Sequence, residues 1–491
     1  MKYLLGIDFG GGASKATLLR EDGVIAATHT TEYKTSYPKP GYAEQDPNDW
    51  VKATCENIAG VLAKSEVSPD KICAVALDAA THTAVIMDEN FNVIRPAIYW
   101  TDTRSVKEVS YLKENYSDII DKQVLHKADT IWTLPELMWI KNNEPHHWAR
   151  VKKILFAKDY VRHCLTGDYV TDYIEAEGSM MFDINTMQWS SELCEILEIN
   201  TEIMPRIVKP TDIAGKITDE AAKMTGLIEG TPVICGTTDT VMEVFASGAV
   251  KKGQMTLKLA TAGRICVITD KPYPNINLIN YSHIIDGYFY PGTATKSCAA
   301  SYRWFRDTFG ENYSELDKKA EGIPIGSEGL VFHPYLNGEL TPYANPDLCA
   351  DFVGVRASHT KAHFARAVLE GVAMSMLDCK TALDNLNIEH NDSAVIIGGG
   401  GKSPLWRQMI SDALGIKLIE MKYADSSFGS AMLAGTAAGI FESAEHAVAK
   451  CNKVVSETFP NNENTLKYKE LFKRYKAIQR ALEPIYNGEI L

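Results

Sequence analysis

The sequence predicts an α/β protein with mixed sheets, built as two halves that face one another across a cleft. Its length is the first observation, because 491 residues exceed what one hydrophobic core usually supports. Strand-like apolar runs also alternate with helix-like patterns along the chain. Two distant stretches, residues 5–12 and 233–240, each combine an apolar β-type run with small residues and a lone carboxylate. Such a strand end offers a carboxylate and bare backbone N–H groups, which suits phosphate and a divalent metal.

The first elements are predicted to form an antiparallel meander. Residues 3–8 and 15–19 favour strands around a Gly10–Gly12 turn, and Asp22-Gly23 favours a hairpin turn into a third strand over 24–27. Residues 46–49 supply N-cap chemistry for a helix over 50–64. Apolar strands over 72–77 and 84–87 follow.

A related pattern recurs in the second half. Strands are predicted over 255–259 and 264–268, joined by a small-residue turn, and a strand over 394–397 runs into Gly398–Gly401. Ser403 and Pro404 have the residue types of an N-cap and a first helical position. Apolar residues at helical spacing mark a buried stripe, namely Phe364, Val368, Val372 and Met376. We interpret the two strand–turn–strand openings as a structural repeat and place the domain boundary near residues 246–253.

Composition narrows the classes of partner and compartment. A formal net charge of −13 argues against nucleic acid or an anionic membrane as a partner, although a small anion such as ATP is compatible with it. The ten cysteines are scattered singly, so neither a disulfide framework nor a zinc site is indicated. Asp8 comes too early for a signal peptide, and no apolar window approaches the roughly 18 residues of a membrane span. A cytoplasmic protein is expected.

Two nucleotide motifs nearly match and are rejected. Gly401-Lys402-Ser403 resembles the end of a Walker A loop, but Ile396 stands where its first glycine would be. Gly10-x-Gly12 is followed by a predicted strand, whereas a dinucleotide fingerprint opens a helix. Three small-residue turns at strand ends remain as anion sites, because their amides can approach a phosphate closely: 10–12, 261–263 and 398–401.

Each candidate side chain also has an ordinary structural interpretation. Asp8 could form a turn, and Asp239 could cap the helix that follows it. His82 could be a satisfied loop histidine. The stretch from Tyr99 to Arg104 could be a strand end with a surface ion pair.

Several longer segments resemble the FGGY family of carbohydrate kinases, and within it the xylulose kinases most. The segments that carry the resemblance are residues 41–47, 158–167, 334–339 and, as the C-terminal signature, 350–355 with 363–370. The resemblance covers nearly the whole chain. It implies two actin-like domains of the ribonuclease-H type with an interdomain cleft: residues 1–248 for the sugar and the catalytic base, and residues 249–491 for ATP.

The resemblance also implies roles for particular residues. Asp239 is similar to the family's general base, and Asp8 to the acid that holds Mg²⁺, through water, near the phosphates. Phosphate-facing turns are implied at Gly10, Gly11 and Gly12 and at Thr261 and Gly263. The adenosine side is implied at Gly399, Gly400 and Ser403, and the sugar pocket at His82, Trp100, Asp102, Asp239 and Thr240.

The chain departs from the family pattern at several of these positions. The first turn lacks its usual hydroxyl residues at Gly11-Gly12, and the second begins with Ala260 where glycine is usual. Thr240 stands where asparagine is frequent, and Ala80-Thr81 where Gln-Met usually precedes the histidine. Glu136 replaces a lysine, and residues 339–342 lack an arginine. These departures bear on the identity of the sugar.

The residues and the resemblance together predict ATP-dependent phosphorylation of the terminal hydroxyl of a ketopentose, with D-xylulose as the best candidate. L-xylulose, another pentulose, or a polyol such as erythritol or glycerol stays open. A non-enzymatic sugar sensor and an actin- or chaperone-like ATPase are the competing classes. The expected partners are the sugar and ATP with Mg²⁺, without nucleic acid or membrane, and a homodimer is left open.

Overall fold

The computed structural model describes residues 1–275 and 278–489, which form two compact units. Unit 1 comprises Met1–Gly248, Tyr281–Asp286 and Tyr423–Asn452. Unit 2 comprises the remaining described residues. Two segments that follow residue 248 in the chain, 281–286 and 423–452, group with unit 1.

The strands of the first half of the chain are β1 (Tyr3–Phe9), β2 (Ala13–Arg20), β3 (Ile25–Glu32), β4 (Glu44–Gln45), β5 (Ile72–Ala79), β6 (Ala84–Met87), β7 (Ala97–Ile98), β8 (Lys153–Phe156), β9 (Val170–Asp172), β10 (Phe182–Asp183), β11 (Gln188–Trp189), β12 (Arg206–Val208), β13 (Ile213–Lys216) and β14 (Pro232–Thr238). Those of the second half are β15 (Met255–Leu259), β16 (Gly263–Val267), β17 (Gly292–Thr295), β18 (Val331–His333), β19 (Asp351–Val353), β20 (Ser393–Ile397), β21 (Lys417–Met421) and β22 (Val454–Thr458).

The helices are α1 (Pro47–Ser65), α2 (Val106–Asn115), α3 (Ser117–Gln123), α4 (Thr133–Asn143), α5 (Pro145–Trp148), α6 (Ala157–Thr166), α7 (Tyr173–Gly178), α8 (Ser191–Ile196), α9 (Asp219–Thr225), α10 (Asp239–Ala246), α11 (Ala299–Phe309), α12 (Tyr313–Glu321), α13 (Lys361–Asn385), α14 (Pro404–Leu414), α15 (Ser426–Ala437), α16 (Ala444–Cys451) and α17 (Asn462–Tyr486). Short 3-10 turns lie at Pro69–Lys71, Thr201–Ile203, Ser327–Gly329 and Gly399–Lys402.

Each unit contains a six-stranded mixed sheet, and the two sheets have the same pairing scheme. In unit 1 the order is β13-β14-β5-β1-β2-β3, and in unit 2 it is β17-β16-β15-β20-β21-β22. In both sheets, starting from β3 or β17, the first two pairings are antiparallel and the next two are parallel. The last pairing, with the opposite edge strand, is antiparallel again. This shared scheme confirms the structural repeat predicted from the two openings.

Local signals account for the helix and hairpin boundaries. The Asp46 side chain caps α1, whose first residue is Pro47, and Ser403 caps α14 ahead of Pro404. Gly415 ends α14 in the left-handed conformation that glycine adopts readily. The hairpin between β2 and β3 turns at Asp22-Gly23, where Gly23 has φ of 85°. The predicted caps and hairpin are confirmed.

Each of the two units has its own apolar core. In unit 1, β1, β5 and β14 contribute buried side chains such as Leu5, Val75 and Val233. Helix α15 packs on β1 at Gly6, where an added Cβ would lie 2.0 Å from the Ser427 carbonyl oxygen. In unit 2, α13 packs against β16, β17 and β18. Of its predicted stripe, Val368, Val372 and Met376 are buried and Phe364 is partly buried. Across residues 1–275 and 278–489, no helix is both long enough and apolar enough to cross a membrane.

Candidate active site

A row of polar side chains crosses the central strands of unit 1. Asp8 of β1 pairs with Lys15 of β2 on one side and with Asp78 of β5 on the other, and Asp78 pairs with Thr237 of β14. Because β1, β5 and β14 run parallel, their carboxyl ends share one edge of the sheet. Asp8 is therefore not the lone acid that the sequence indicated. Asp78 was missed, although it directly follows the apolar run predicted as a strand over 72–77.

Burial and charge act together on this row. Burial raises the pKa of both Asp8 and Asp78, and the charge of Asp239 adds to the increase at each. Ser430 of α15 donates a hydrogen bond of 2.5 Å to Asp78. Lys15 forms a 3.1 Å ion pair with Asp425, which caps α15. The arrangement concentrates negative charge that a cation would relieve.

The acidic row is compatible with a magnesium ion held mostly by water and phosphate. Among the described residues, no group of three or more His, Cys, Asp or Glu side chains is arranged to hold a metal directly. Mg²⁺ in phosphoryl-transfer sites commonly keeps several waters and takes only one or two carboxylates. Asp8 fits that limited part, because it is a carboxyl group at the strand end that adjoins the Gly10–Gly12 turn.

In the turn at Gly10–Gly12 all three carbonyl groups accept hydrogen bonds from the protein, and so does the Ala13 carbonyl from the Gly10 amide, whereas Gly11 and Gly12 are exposed. Tyr33 donates its hydroxyl to the Gly10 carbonyl at 2.5 Å and its amide to the Gly12 carbonyl at 3.1 Å. Thr35 and Gln45 donate to the Gly11 carbonyl at 2.6 and 3.1 Å. The exposed amides of Gly11 and Gly12 donate to no described residue. Outward amides of this kind suit an anionic ligand even without hydroxyl side chains.

Asp239 begins α10 directly after the end of β14, at the same sheet edge as Asp8. Its carboxylate accepts from the Thr240 amide at 2.6 Å and from the Thr240 hydroxyl at 3.1 Å, and the residue stays partly exposed. The cap position itself belongs to Thr238, whose side chain makes no capping bond. Asp239 is thus an accessible acid at a helix start and is not the N-cap that its alternative interpretation required.

In unit 2, the turn at Ala260–Gly263 repeats the design of the first turn. The carbonyl groups of Ala260 and Thr261 accept from the amides of Ala299 and Cys298, at 2.8 and 2.9 Å, where α11 begins. The amides of Thr261 and Ala262, both exposed residues, donate to no residue in the described part of the chain. With alanine in place of the usual first glycine, the amides of Thr261 and Ala262 therefore still have no partner in the described part of the chain.

The predicted adenosine-side residues lie in the turn between β20 and α14 of unit 2. Gly399 is exposed, and a Cβ there would meet nothing within 4 Å. A Cβ at Gly400 would lie 2.9 Å from both Leu259 and Trp406, so only glycine fits. The Ser403 hydroxyl accepts from the Trp406 amide and donates to Asp317 at 2.7 Å, so it already has two partners within the protein.

His82 lies in unit 1 as a buried residue with a left-handed backbone, at φ of 72°. Its amide donates to Glu175 at 2.8 Å, and its carbonyl accepts from the Thr133 hydroxyl at 2.7 Å. Its Nε2 lies 3.0 Å from the hydroxyl of Tyr281. Burial lowers the pKa of the imidazole well below its usual range, so the ring is neutral. A neutral imidazole offers one donor and one acceptor, which suits the reading of hydroxyl groups.

The two sugar-pocket predictions that remain are Trp100, which is exposed, and Asp102, whose carboxylate is bound within the protein. Trp100 is 42% exposed. The Asp102 carboxylate is buried, accepts from the Ala43 amide at 2.6 Å, and forms a two-point ion pair with Arg104. The ion pair is therefore buried, whereas the alternative interpretation of the sequence placed it on the surface. Its geometry holds the loop that carries Trp100.

Glu177 is a buried carboxyl group that sequence reasoning missed. Burial raises its pKa from an ordinary value of 4.5 to about 8. Between these two values the native state binds more protons than the unfolded chain, so this group's contribution to the free energy of unfolding falls as the pH rises. We expect Glu177→Gln, which keeps the shape, to leave the Tm unchanged at pH 5 and to raise it at pH 9.

The matched control for this prediction is Glu220→Gln, which removes the same charge from an exposed position on α9. Thermal unfolding of the wild type and both variants at the two pH values is the measurement. A Tm difference between Glu177→Gln and the wild type that is equal at both pH values would contradict the expected titration.

Comparison with known proteins agrees with this geometry. The N-terminal domain model of the FGGY family of carbohydrate kinases matches residues 3–246, and the family's C-terminal domain model matches residues 233–438. Xylulose kinase of Bacillus subtilis (strain 168) is 31% identical over 483 residues, which is 97% of each chain. Gluconokinase of Bacillus licheniformis is 29% identical over 500 residues, covering 99% of this chain and 97% of the relative. The crystal structure of ligand-bound xylulose kinase from Lactobacillus acidophilus has a TM-score of 0.93 and 26% identity, with 100% of both chains covered.

These comparisons confirm the resemblance noted in the sequence and the two-domain, actin-like fold class inferred from it. The family models together span residues 3–438, and the likeness to the relatives extends over almost the whole of both chains. The chain belongs to the FGGY family of carbohydrate kinases.

Proposed function

We propose that this protein transfers the γ-phosphoryl group of ATP to the terminal hydroxyl of D-xylulose. The full-length likeness to xylulose kinases carries this choice of substrate. The partly exposed Asp239 at the end of β14 supports the reaction type, because it is an accessible acid beside the acidic row. Phosphoryl transfer needs positioning and charge stabilisation more than covalent chemistry, and an accessible acid with outward amides supplies both.

In this proposal the chain's own groups have separate tasks. Asp239 accepts the proton of the attacking hydroxyl, and Thr240 holds its carboxylate in place. The amides of Gly11 and Gly12, and those of Thr261 and Ala262, stabilise the negative charge that develops on the phosphoryl oxygens. Asp8 would hold Mg²⁺ through water, and the bound ion would supply charge neutralisation at the phosphates.

The remaining assignments follow the same proposal. Residues 1–248 bind the sugar, with His82, Trp100 and Asp102 in its pocket. Residues 249–491 bind ATP, with Gly263 in the second phosphate turn and Gly399, Gly400 and Ser403 on the adenosine side. The protein acts in the cytoplasm, and a homodimer is an assembly that gel filtration with light scattering would test.

Sugar-dependent ADP release, measured with a coupled assay, tests the substrate. The panel is D-xylulose, L-xylulose, D-ribulose, gluconate, glycerol and erythritol, each with MgATP. We expect D-xylulose to have the highest kcat/KM and the product to carry its phosphate on the terminal carbon, as read by phosphorus–proton correlation. ADP release that is independent of every sugar would refute the proposal.

Gluconate is the second candidate, because the gluconokinase of Bacillus licheniformis is similar to this chain over nearly its full length. A sugar acid carries a carboxylate that a neutral ketopentose lacks, so its binding would fall with ionic strength, whereas D-xylulose binding would not. Measuring KM for both compounds at two salt concentrations separates the two candidates.

A further inference from the structure

The connection between β16 and β17 contains a segment that unit 1 does not have at the matching place in its own sheet. In unit 1 the second and third strands are joined by the tight Asp22-Gly23 hairpin, whereas in unit 2 the same connection spans residues 268–291. Within that connection, Tyr281–Asp286 group with unit 1. The insertion therefore brings six residues from the second half of the chain to the unit that carries His82.

Unit 1 holds this segment by hydrogen bonds to its backbone and to a serine. The buried carboxyl group of Glu177 accepts from the Ser282 amide at 2.9 Å and from the Ser282 hydroxyl at 2.5 Å. The Tyr173 hydroxyl donates to the His283 carbonyl at 3.2 Å. Both anchors come from α7, so the segment has a defined position on one helix.

The anchored segment places Tyr281 on His82. The Tyr281 hydroxyl lies 3.0 Å from Nε2 of His82, and the two rings are stacked with centroids 5.9 Å apart. Trp132 contacts the imidazole as well, at 4.7 Å between centroids. Gly178 leaves room for the ring, since a Cβ there would lie 1.6 Å from Cε1 of His82. The imidazole therefore packs against the rings of Tyr281 and Trp132, and the lack of a side chain at Gly178 leaves space for it.

The hydroxyl contact also limits what the imidazole can offer to a ligand. A neutral imidazole has one donor and one acceptor nitrogen, and a tyrosine hydroxyl can serve as either partner. With Nε2 engaged by Tyr281, Nδ1 is the ring nitrogen left, and it is a buried atom without a hydrogen-bond partner among the described residues. The Oε1 oxygen of Glu175 lies 3.9 Å from Nδ1, which is beyond hydrogen-bond distance.

We propose that Tyr281 is a positioning residue for the sugar: its hydroxyl engages Nε2 and fixes the orientation of His82, and this selects between sugars that are epimeric at the carbon His82 contacts. The inference rests on the proposed function, which places His82 in the sugar pocket. It adds a specificity determinant from the second half of the chain to the sugar-binding unit. The sequence around His82 gives no sign of this determinant, because Tyr281 lies 199 positions further along the chain.

The test compares Tyr281→Phe with Tyr173→Phe. Each variant removes one hydroxyl from a buried tyrosine, Tyr281 within the segment or Tyr173 against it, but only the first loses the contact with His82. The readouts are kcat and KM for D-xylulose and for its C3 epimer D-ribulose, KM for ATP, and the Tm. We expect Tyr281→Phe to narrow the ratio of kcat/KM between the epimers by about fivefold, with the KM for ATP unchanged. Tyr173→Phe should leave that ratio at the wild-type value.

A second measurement does not depend on turnover. The ¹⁵N shifts of the two imidazole nitrogens report which nitrogen carries the proton and how each is hydrogen-bonded, and His82→Gln identifies the signals of His82 in histidine-labelled protein. We expect Tyr281→Phe to change these shifts and Tyr173→Phe to leave them unchanged. Unchanged shifts in Tyr281→Phe would overturn the inference even if the substrate were misassigned.

The outcomes separate this inference from the proposed function. Wild-type protein without sugar-dependent ADP release would refute the proposed function, and the imidazole shifts would still decide the role of Tyr281. Sugar-dependent turnover in which His82→Gln alters the epimer ratio and Tyr281→Phe does not would overturn only the inference. An equal narrowing of the epimer ratio in Tyr281→Phe and Tyr173→Phe would also overturn it. The cause would then be weaker attachment of residues 281–286 to unit 1, and not the loss of the contact with His82.

Discussion

Replacing Asp239 by Asn is expected to lower kcat by at least about 10²-fold, because the amide cannot accept the proton of the attacking hydroxyl. The side chain starts α10, and its carboxylate already accepts from Thr240, so the variant keeps nearly the same shape and place. Nucleotide affinity should be almost unchanged, since the proposed base acts on the sugar. Steady-state kinetics with D-xylulose and a direct titration with ADP measure the two effects.

The control is Asp219→Asn, which makes the same change at the first residue of another helix of unit 1, α9. Both substitutions remove an acid from a helix N-terminus, where it interacts favourably with the helix dipole. A loss of stability from that cause should therefore be similar in the two variants, while only Asp239→Asn should lose turnover. Near-normal turnover of Asp239→Asn would remove this residue from the mechanism.

Replacing Gly6 by Ala is expected to destabilise unit 1 strongly. The added Cβ would lie 2.0 Å from the Ser427 carbonyl oxygen and 2.3 Å from the Ala431 amide nitrogen, which are backbone atoms of α15 and cannot rotate away. Helix α15 would have to move off β1, and with it the Ser430 contact to Asp78. Overpacking of this kind costs about 1–3 kcal/mol or more, and each kcal/mol lowers the Tm by about 2–4 °C in a domain of this size.

Gly12→Ala is the matched control for the stability effect. A Cβ added at Gly12 would meet nothing within 4 Å, and the residue has no left-handed backbone, so the Tm of this variant should stay close to that of the wild type. Differential scanning calorimetry of both variants is the measurement. A wild-type Tm for Gly6→Ala would mean that α15 does not pack on β1 at this point.

The sequence alone predicted the elements whose signals are local. Asp46 and Ser403 cap helices because their side-chain oxygens reach amides two or three residues ahead, a relation that any reader of the sequence can test. The Asp22-Gly23 turn and the stop at Gly415 depend on backbone preferences of single residues. The placement of Asp8 and Asp239 beside strand ends was predicted in the same way, since each follows an apolar β-type run. Segments that resemble the family, spread over nearly the whole chain, then indicated the fold.

Only the tertiary structure decided which of these groups act together. Asp78 became the neighbour of Asp8 through the register of two parallel strands, and no spacing rule connects residues that lie 70 positions apart. Helix α15 comes from late in the chain, yet Ser427 and Ser430 contact Thr17 and Asp78. Tyr281 reaches His82 across 199 residues. Short-range propensities determine caps, turns and periodic faces because they act within about one helical turn, whereas the partners of buried polar groups are set by which strands pair and which segments return to each core.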